Sequence, residues 1–213
     1  MPTPSHESML RAVAAIALLA LSGCASISRD ECLTVDWRTV GFEDGVAGYS
    51  GDRIGDHRKA CAKHGVTPDL AAYQDGREQG LREYCVPVNG FRLGSQGGGY
   101  NGICPADLDP AFADAYESGR QLHTLQSRLS NVSYELDSRR RELRGAESDI
   151  VTRSAVAISS EATVEERAQA VLDVKHLGER VGRLKSEIRQ LEEDRVHRER
   201  DLEDYRATLP ISR

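Results

Sequence analysis

Five cysteines, at positions 24, 32, 61, 85 and 104, are the residues of this 213-residue chain with the widest choice of chemistry. A thiol can attack, hold a metal, carry an acyl group or pair into a disulfide, and its neighbours decide which. Metal binding is the first option to weigh: on a helix His57, Cys61 and His64 would share one face, an arrangement that could hold zinc. The close cysteine pairs of zinc sites are missing, so no metal or other cofactor is expected and His57 reads as an ordinary polar or capping residue. Glu43 with Asp44, and Asp75 with Glu78, offer neighbouring carboxylates of the kind a glycosidase or other envelope hydrolase uses. Nothing in the pattern singles these carboxylates out, and no serine sits in a Gly-x-Ser-x-Gly turn. The expectation is a protein that is not an enzyme.

Cys24 stands apart from the other four. Arg11 precedes an unbroken apolar run from Ala12 to Leu21, too short to span a bilayer and suited to the core of an export signal. The run closes on Leu21-Ser22-Gly23-Cys24, small residues ahead of a thiol, which resembles the lipobox at which bacterial lipoproteins are diacylated and cut. Residues 1–23 are therefore expected to be a signal peptide, and Cys24 the acylated N-terminus that joins the chain to a membrane. Ala25 is not acidic, which in a Gram-negative host favours the outer membrane, facing the periplasm. Setting Cys24 aside leaves Cys32, Cys61, Cys85 and Cys104, an even set that an oxidising compartment would pair into two disulfides. Four cysteines allow three connectivities and spacing does not choose among them; we favour Cys32 with Cys61 and Cys85 with Cys104, because the second would close a glycine-rich loop.

These cysteines need a scaffold, and composition divides it near residue 119. Residues 24–119 hold 15 of the 19 glycines, nine of the aromatic residues and all four candidate disulfide cysteines. They carry 9 Lys and Arg against 15 Asp and Glu, whereas residues 120–213 carry 18 against 18, so the net charge of −6 sits in the first region. An acidic, disulfide-bonded head of this kind is a poor partner for nucleic acid or anionic lipid.

From Leu122 the apolar positions step by three and four through Leu125, Leu129, Val132 and Leu136, and then, past Arg139, from Leu143 through Ala146 to Ile150. They resume as Val174, Leu177, Val181, Leu184, Ile188 and Leu191, then Leu202, Tyr205 and Leu209, which is the seam of a coiled coil. No proline interrupts the chain between Pro110 and Pro210. The seam weakens between Ile150 and Val171, where serines cluster and Thr163 to Glu166 fits a capping box, so a turn is expected near residues 159–163. The two arms would then form a helical hairpin; the competing arrangement is a bent rod that pairs with a second chain in a homo-oligomer. Arg139, Arg195 and Arg198 fall on seam positions, where packed stems with charged ends reaching water are expected.

In the head, Thr67-Pro68-Asp69 and Asp109-Pro110 combine caps with a proline suited to a first helical turn, so helices are expected from about residues 68 and 110. Asp36 and Asp56 are candidate caps for two more, the second ending at Gly65. An aromatic residue followed three places later by glycine recurs at Phe42–Gly45, Tyr73–Gly76 and Tyr116–Gly119. Glycine within a helix costs about 1 kcal/mol relative to alanine, so these positions predict close helix approach, with rings of one helix covering notches in another. Residues 86–103 read as a loop, and Asn89, Gly90, Gly97, Gly98, Gly99 and Tyr100 are its candidate ligand contacts. Its backbone N–H groups could meet an anion or a glycan such as peptidoglycan, with Tyr100 as the stacking face.

The train Asp36-Trp37, Gly41, Asp44-Gly45, Gly48, His57, Cys61, Gly65, Tyr73, Gly76, Gly80-Leu81, Tyr84-Cys85, Gly90, Gly97, Tyr100 and Cys104-Pro105 resembles the family catalogued as domain of unknown function 2799, over about residues 32–119. That resemblance implies a bacterial envelope lipoprotein and carries over no functional residues. The expected fold is mainly α: signal peptide 1–23, a small disulfide-bonded, glycine-rich helical head at 24–119, and a long coiled-coil hairpin at 120–209. The expected function is that of an outer-membrane-anchored, periplasmic interaction or scaffold protein, whose coiled coil binds an envelope protein. Glycan or peptidoglycan binding through residues 86–103 is the alternative.

Overall fold

A computed structural model describes residues 28–209; the expected signal peptide at 1–23 and the expected acylation site Cys24 lie outside the described residues. The described chain is helical and without strands. Its elements are α1 (Arg29–Thr34), α2 (Trp37–Val46), α3 (Arg53–Ala62), α4 (Leu70–Tyr84), α5 (Pro87–Ser95), α6 (Asp109–Ile158) and α7 (Val164–Thr208). Contacts divide them into two units, residues 28–86 with 101–111 and residues 87–100 with 112–209. The compositional boundary at residue 119 therefore falls inside a continuous helix, and α5 packs within the same unit as the long helices.

Capping chemistry places the starts. Asp36 caps α2 through its carboxylate and the Arg38 N–H, and Ser28 with Glu31 closes a capping box on α1. At α4 the cap is Asp69, which accepts from the Ala72 N–H, rather than Thr67, and the helix begins two residues after Pro68. α3 starts at Arg53, so Asp56 lies in its first turn beside the positive helix end instead of capping it. Gly65 does follow the end of α3, with φ of 71°.

The first unit is closed by Cys32–Cys61, which ties α1 to α3, and by Cys85–Cys104, which ties the end of α4 to the segment before α6. Cys32, Trp37, Cys61 and Tyr73 form its core. The bridges close separations of 29 and 19 residues. Each restricts the unfolded chain by about 3 kcal/mol, slightly more for the longer loop. Replacing either pair by alanines is expected to lower stability by that amount, read from the urea midpoint of Trp37 fluorescence, since Trp37 is the chain's one tryptophan.

In the second unit α6 and α7 run antiparallel on either side of a turn at residues 159–163. Thr163 and Glu166 form the capping box on α7, and hydrogen bonds from Thr163 to the Glu166 carboxylate hold its pKa below the ordinary value. Ion pairs Arg140–Glu192, Lys185–Glu147 and Arg153–Asp173 link the arms, the α7 number falling as the α6 number rises. Exposed pairs of this kind contribute little each. The arms are held by their seam, in which Leu136, Ala146, Ala170, Leu184, Ile188 and Leu202 are buried. Arg139 meets Glu135, Glu142 and Glu187 at the edge of that seam, so its charge is satisfied without entering it. Among the described residues no helix is long and apolar enough to cross a membrane.

Candidate functional site

The glycines within α2 and α4 are notches for backbone. A Cβ on Gly41 would collide with the Tyr73 carbonyl oxygen, and one on Gly45 with that of Arg77. In return, Gly76 and Gly80 of α4 sit against the carbonyls of Arg38 and Phe42 on α2. Carbonyl groups, not rings, fill these notches; the exception is Gly48, whose positive φ of 74° faces the Tyr84 ring. Such proximity is open only to glycine and fixes the two helices in one register.

The second unit repeats the device. Gly90 and Gly94 of α5 meet the carbonyls of Phe112 and Tyr116 on α6, and Gly119 meets that of Phe91. Gly97, again with positive φ, faces the His123 ring as Gly48 faces Tyr84. Gly41, Gly45 and Gly48 thus correspond to Gly90, Gly94 and Gly97 at one constant offset, and Tyr73, Gly80 and Tyr84 correspond to Phe112, Gly119 and His123 at another. Phe91-Arg92-Leu93-Gly94 is a fourth aromatic-to-glycine pattern that the sequence reading passes over.

This pairing corrects the reading of residues 86–103 as one loop: Pro87–Ser95 is helix, and only the residues after it are turn and loop. Asn89 and Gly90 lie in helix α5, and Gly90 is buried against Phe112. Gly97 turns the chain under His123, Gly98 packs against Leu93, and Tyr100 lies 4.8 Å from the Phe112 ring and 5.7 Å from that of Tyr116. Of the four glycines among the six proposed contacts, Gly99 alone has open space where a side chain would be. The ring expected to stack on a glycan is packed on the protein's own aromatics.

A buried polar cluster stands in the first unit, where the sequence suggested only separate carboxylates and histidines. Asp44 on α2 is 7% exposed, and its Oδ2 accepts from the Tyr73 hydroxyl of α4 at 2.7 Å. His57 Nε2 of α3 lies 2.8 Å from the same oxygen and donates to it, since the carboxylate can only accept. Arg53 Nε approaches Oδ1 at 4.0 Å, with its guanidinium carbon 4.8 Å from the centre of the Tyr49 ring. Burial first, and then the hydrogen bond to Asp44, holds the Tyr73 phenol well above its ordinary pKa, so it stays a donor. One carboxylate oxygen therefore fastens three helices. Cys61 is spent in its disulfide and His57 faces Asp44, so the two are not brought together as ligands. Asp44 is equally unavailable as an exposed general acid, while its sequence neighbour Glu43 and the second pair, Asp75 and Glu78, are not buried. No local pattern could announce this cluster, because its members lie on three helices.

A cleft of about 500 Å³ opens in the same unit along α4 and the 103–107 segment, and Tyr73 of the polar cluster is among its lining residues. Ile54, Leu70, Leu81 and Ile103 supply apolar lining, and Arg77, Glu78, Arg82 and Asp107 supply charge. At the turn of the hairpin Val151, Ile158, Val164, Val171 and Leu172 are exposed.

No curated protein and no solved structure matches this chain. Residues 36–121 match the family model described as Protein of unknown function (DUF2799), the stretch that holds the glycines of both notched helix pairs.

Proposed function

We propose that this protein is a lipid-anchored, periplasm-facing protein of the outer membrane that acts without catalysis, docking an envelope protein through its helical hairpin. The address rests on the export signal and lipobox-like sequence ending at Cys24, and two disulfides in the head fit an oxidising compartment.

The observation that carries the docking role is the chemistry of the hairpin's closed end. Both arms are crowded with Arg, Glu and Asp, yet from Ser154 to Val164 the one charged residue is Glu161. Val151, Ile158, Val164, Val171 and Leu172 stand exposed within about two helical turns of the bend, Ile158 at 86%. Single exposed apolar side chains are ordinary, but five grouped at one end of a charged rod suit a protein interface.

A photo-crosslinking residue placed at Ile158 or Val164 in the living cell is expected to give a discrete adduct with one envelope protein. The same residue at the exposed Arg144, midway along the arm, is expected to give none. Val171→Glu combined with Leu172→Glu should remove the adduct. Equal labelling at position 144 and at the bend, or none at the bend, sinks the reading.

A further inference from the structure

We propose that the cleft along α4 binds a carboxylate attached to an aliphatic group, with Arg77 as the residue that recognises the charge. Arg77 is half-buried, and its Nε and Nη2 donate to the Tyr49 carbonyl at 3.2 and 2.8 Å. Those bonds hold the guanidinium in one orientation on the cleft wall, and among the described residues no carboxylate pairs with it. Its charged neighbour in the cleft, Arg82, is engaged by Asp107 at 2.9 Å, and Glu78, the residue after Arg77, lines the same cleft and is exposed. The unspent cation is thus Arg77, with Nη1 directed towards Gly51, where a Cβ would lie 4.0 Å away. Glycine there leaves this nitrogen uncovered.

Packing does not ask for an arginine at this position. In the second notched pair the corresponding residue is Tyr116, an aromatic ring beside Tyr100, although the backbone approach is the same. An oriented guanidinium offers a fork to a carboxylate, and Ile54, Leu70 and Ile103 offer an apolar surface next to it. The ligand chemistry that fits both is an acid joined to a branched aliphatic chain, whether a free small acid or the end of a peptide.

The test uses N-acetyl-leucine, its primary amide, and an acetylated tripeptide ending in leucine, titrated into the purified full-length protein with amide chemical shifts as readout. N-acetyl-leucine is expected to give saturable shifts at Gly51, Arg77 and Ile103, and the amide to bind about tenfold more weakly, the worth of a charge-assisted hydrogen bond. Arg77→Gln should abolish the shifts. Because that change also removes the bonds to Tyr49, Gly51→Leu provides a second variant: it covers Nη1, keeps those bonds, and is expected to weaken binding about tenfold as well. Tighter binding of the tripeptide would identify a peptide end as the source, and equal binding a free acid. No saturable shifts, shifts away from the cleft, equal binding of acid and amide, or unchanged affinity in Gly51→Leu overturns the site.

Discussion

Gly45→Ala, the addition of one methyl group, is expected to cost the head at least about 2 kcal/mol and to leave it largely unfolded when combined with Gly76→Ala. Helix propensity alone gives the opposite sign, since alanine is favoured over glycine in a helix by about 1 kcal/mol. At Gly45, however, the new Cβ would meet the Arg77 carbonyl oxygen, the Leu81 nitrogen at 2.8 Å and the Gly80 carbonyl carbon at 3.0 Å. All three are backbone atoms of α4, so no side chain can rotate away and the helices must separate. Gly55 in α3 supplies the control, because nothing lies within 4 Å of its Cβ position. Gly55→Ala is expected to raise stability by about 0.5 to 1 kcal/mol in the same experiment, urea unfolding followed by Trp37 fluorescence. A Gly45→Ala protein as stable as the parent would show that the notched approach of α2 and α4 does not hold the head together.

The same glycines show how far the sequence could be read. Their cost within helices predicts close approach, and the approach is there; what covers them was not legible, because carbonyl contact depends on the crossing of two helices and not on residue type. The heptads from Leu122 and from Val174, the turn and the Thr163 capping box were all plain, because each is set within a few residues of itself. The favoured disulfide pairing holds, although spacing alone left it open.

Residues 87–95 depart from the expected loop because Gly90 and Gly94 favour one on local propensity, whereas 96–103 are turn and loop as expected. Pro87 at a helix start and the partner carbonyls of α6 override that preference over Pro87–Ser95. Asp69 displaces Thr67 as the α4 cap for a similar reason: several caps were chemically acceptable, and the surrounding fold selected one. The cleft cation Arg77 left no sequence signal at all, since what distinguishes it is a carbonyl 28 residues away and the lack of a side chain at Gly51.

Asp44→Leu is expected to destabilise the first unit by about 3 kcal/mol, and adding Tyr73→Phe to return about 1 kcal/mol of that loss. Removing the carboxylate alone strands the Tyr73 hydroxyl and the His57 Nε2–H, both of which give their hydrogen bonds to Asp44 Oδ2 in buried surroundings. A donor left without an acceptor there keeps its desolvation cost, so the damage exceeds the worth of the bonds themselves. The second notched pair shows what the site looks like without this chemistry: Leu93 and Phe112 stand where Asp44 and Tyr73 stand in the first, and Phe112 is fully buried. The double variant copies that solution and withdraws one of the two stranded donors. His57 remains, which is why recovery stays partial and why the polar cluster is read as the clasp that holds α3, an element the α5–α6 pair does without. Single and double variants compared by urea unfolding decide the matter: a double variant less stable than Asp44→Leu alone would mean that the Tyr73 hydroxyl has another acceptor, and that Asp44 is not the point at which the three helices are joined.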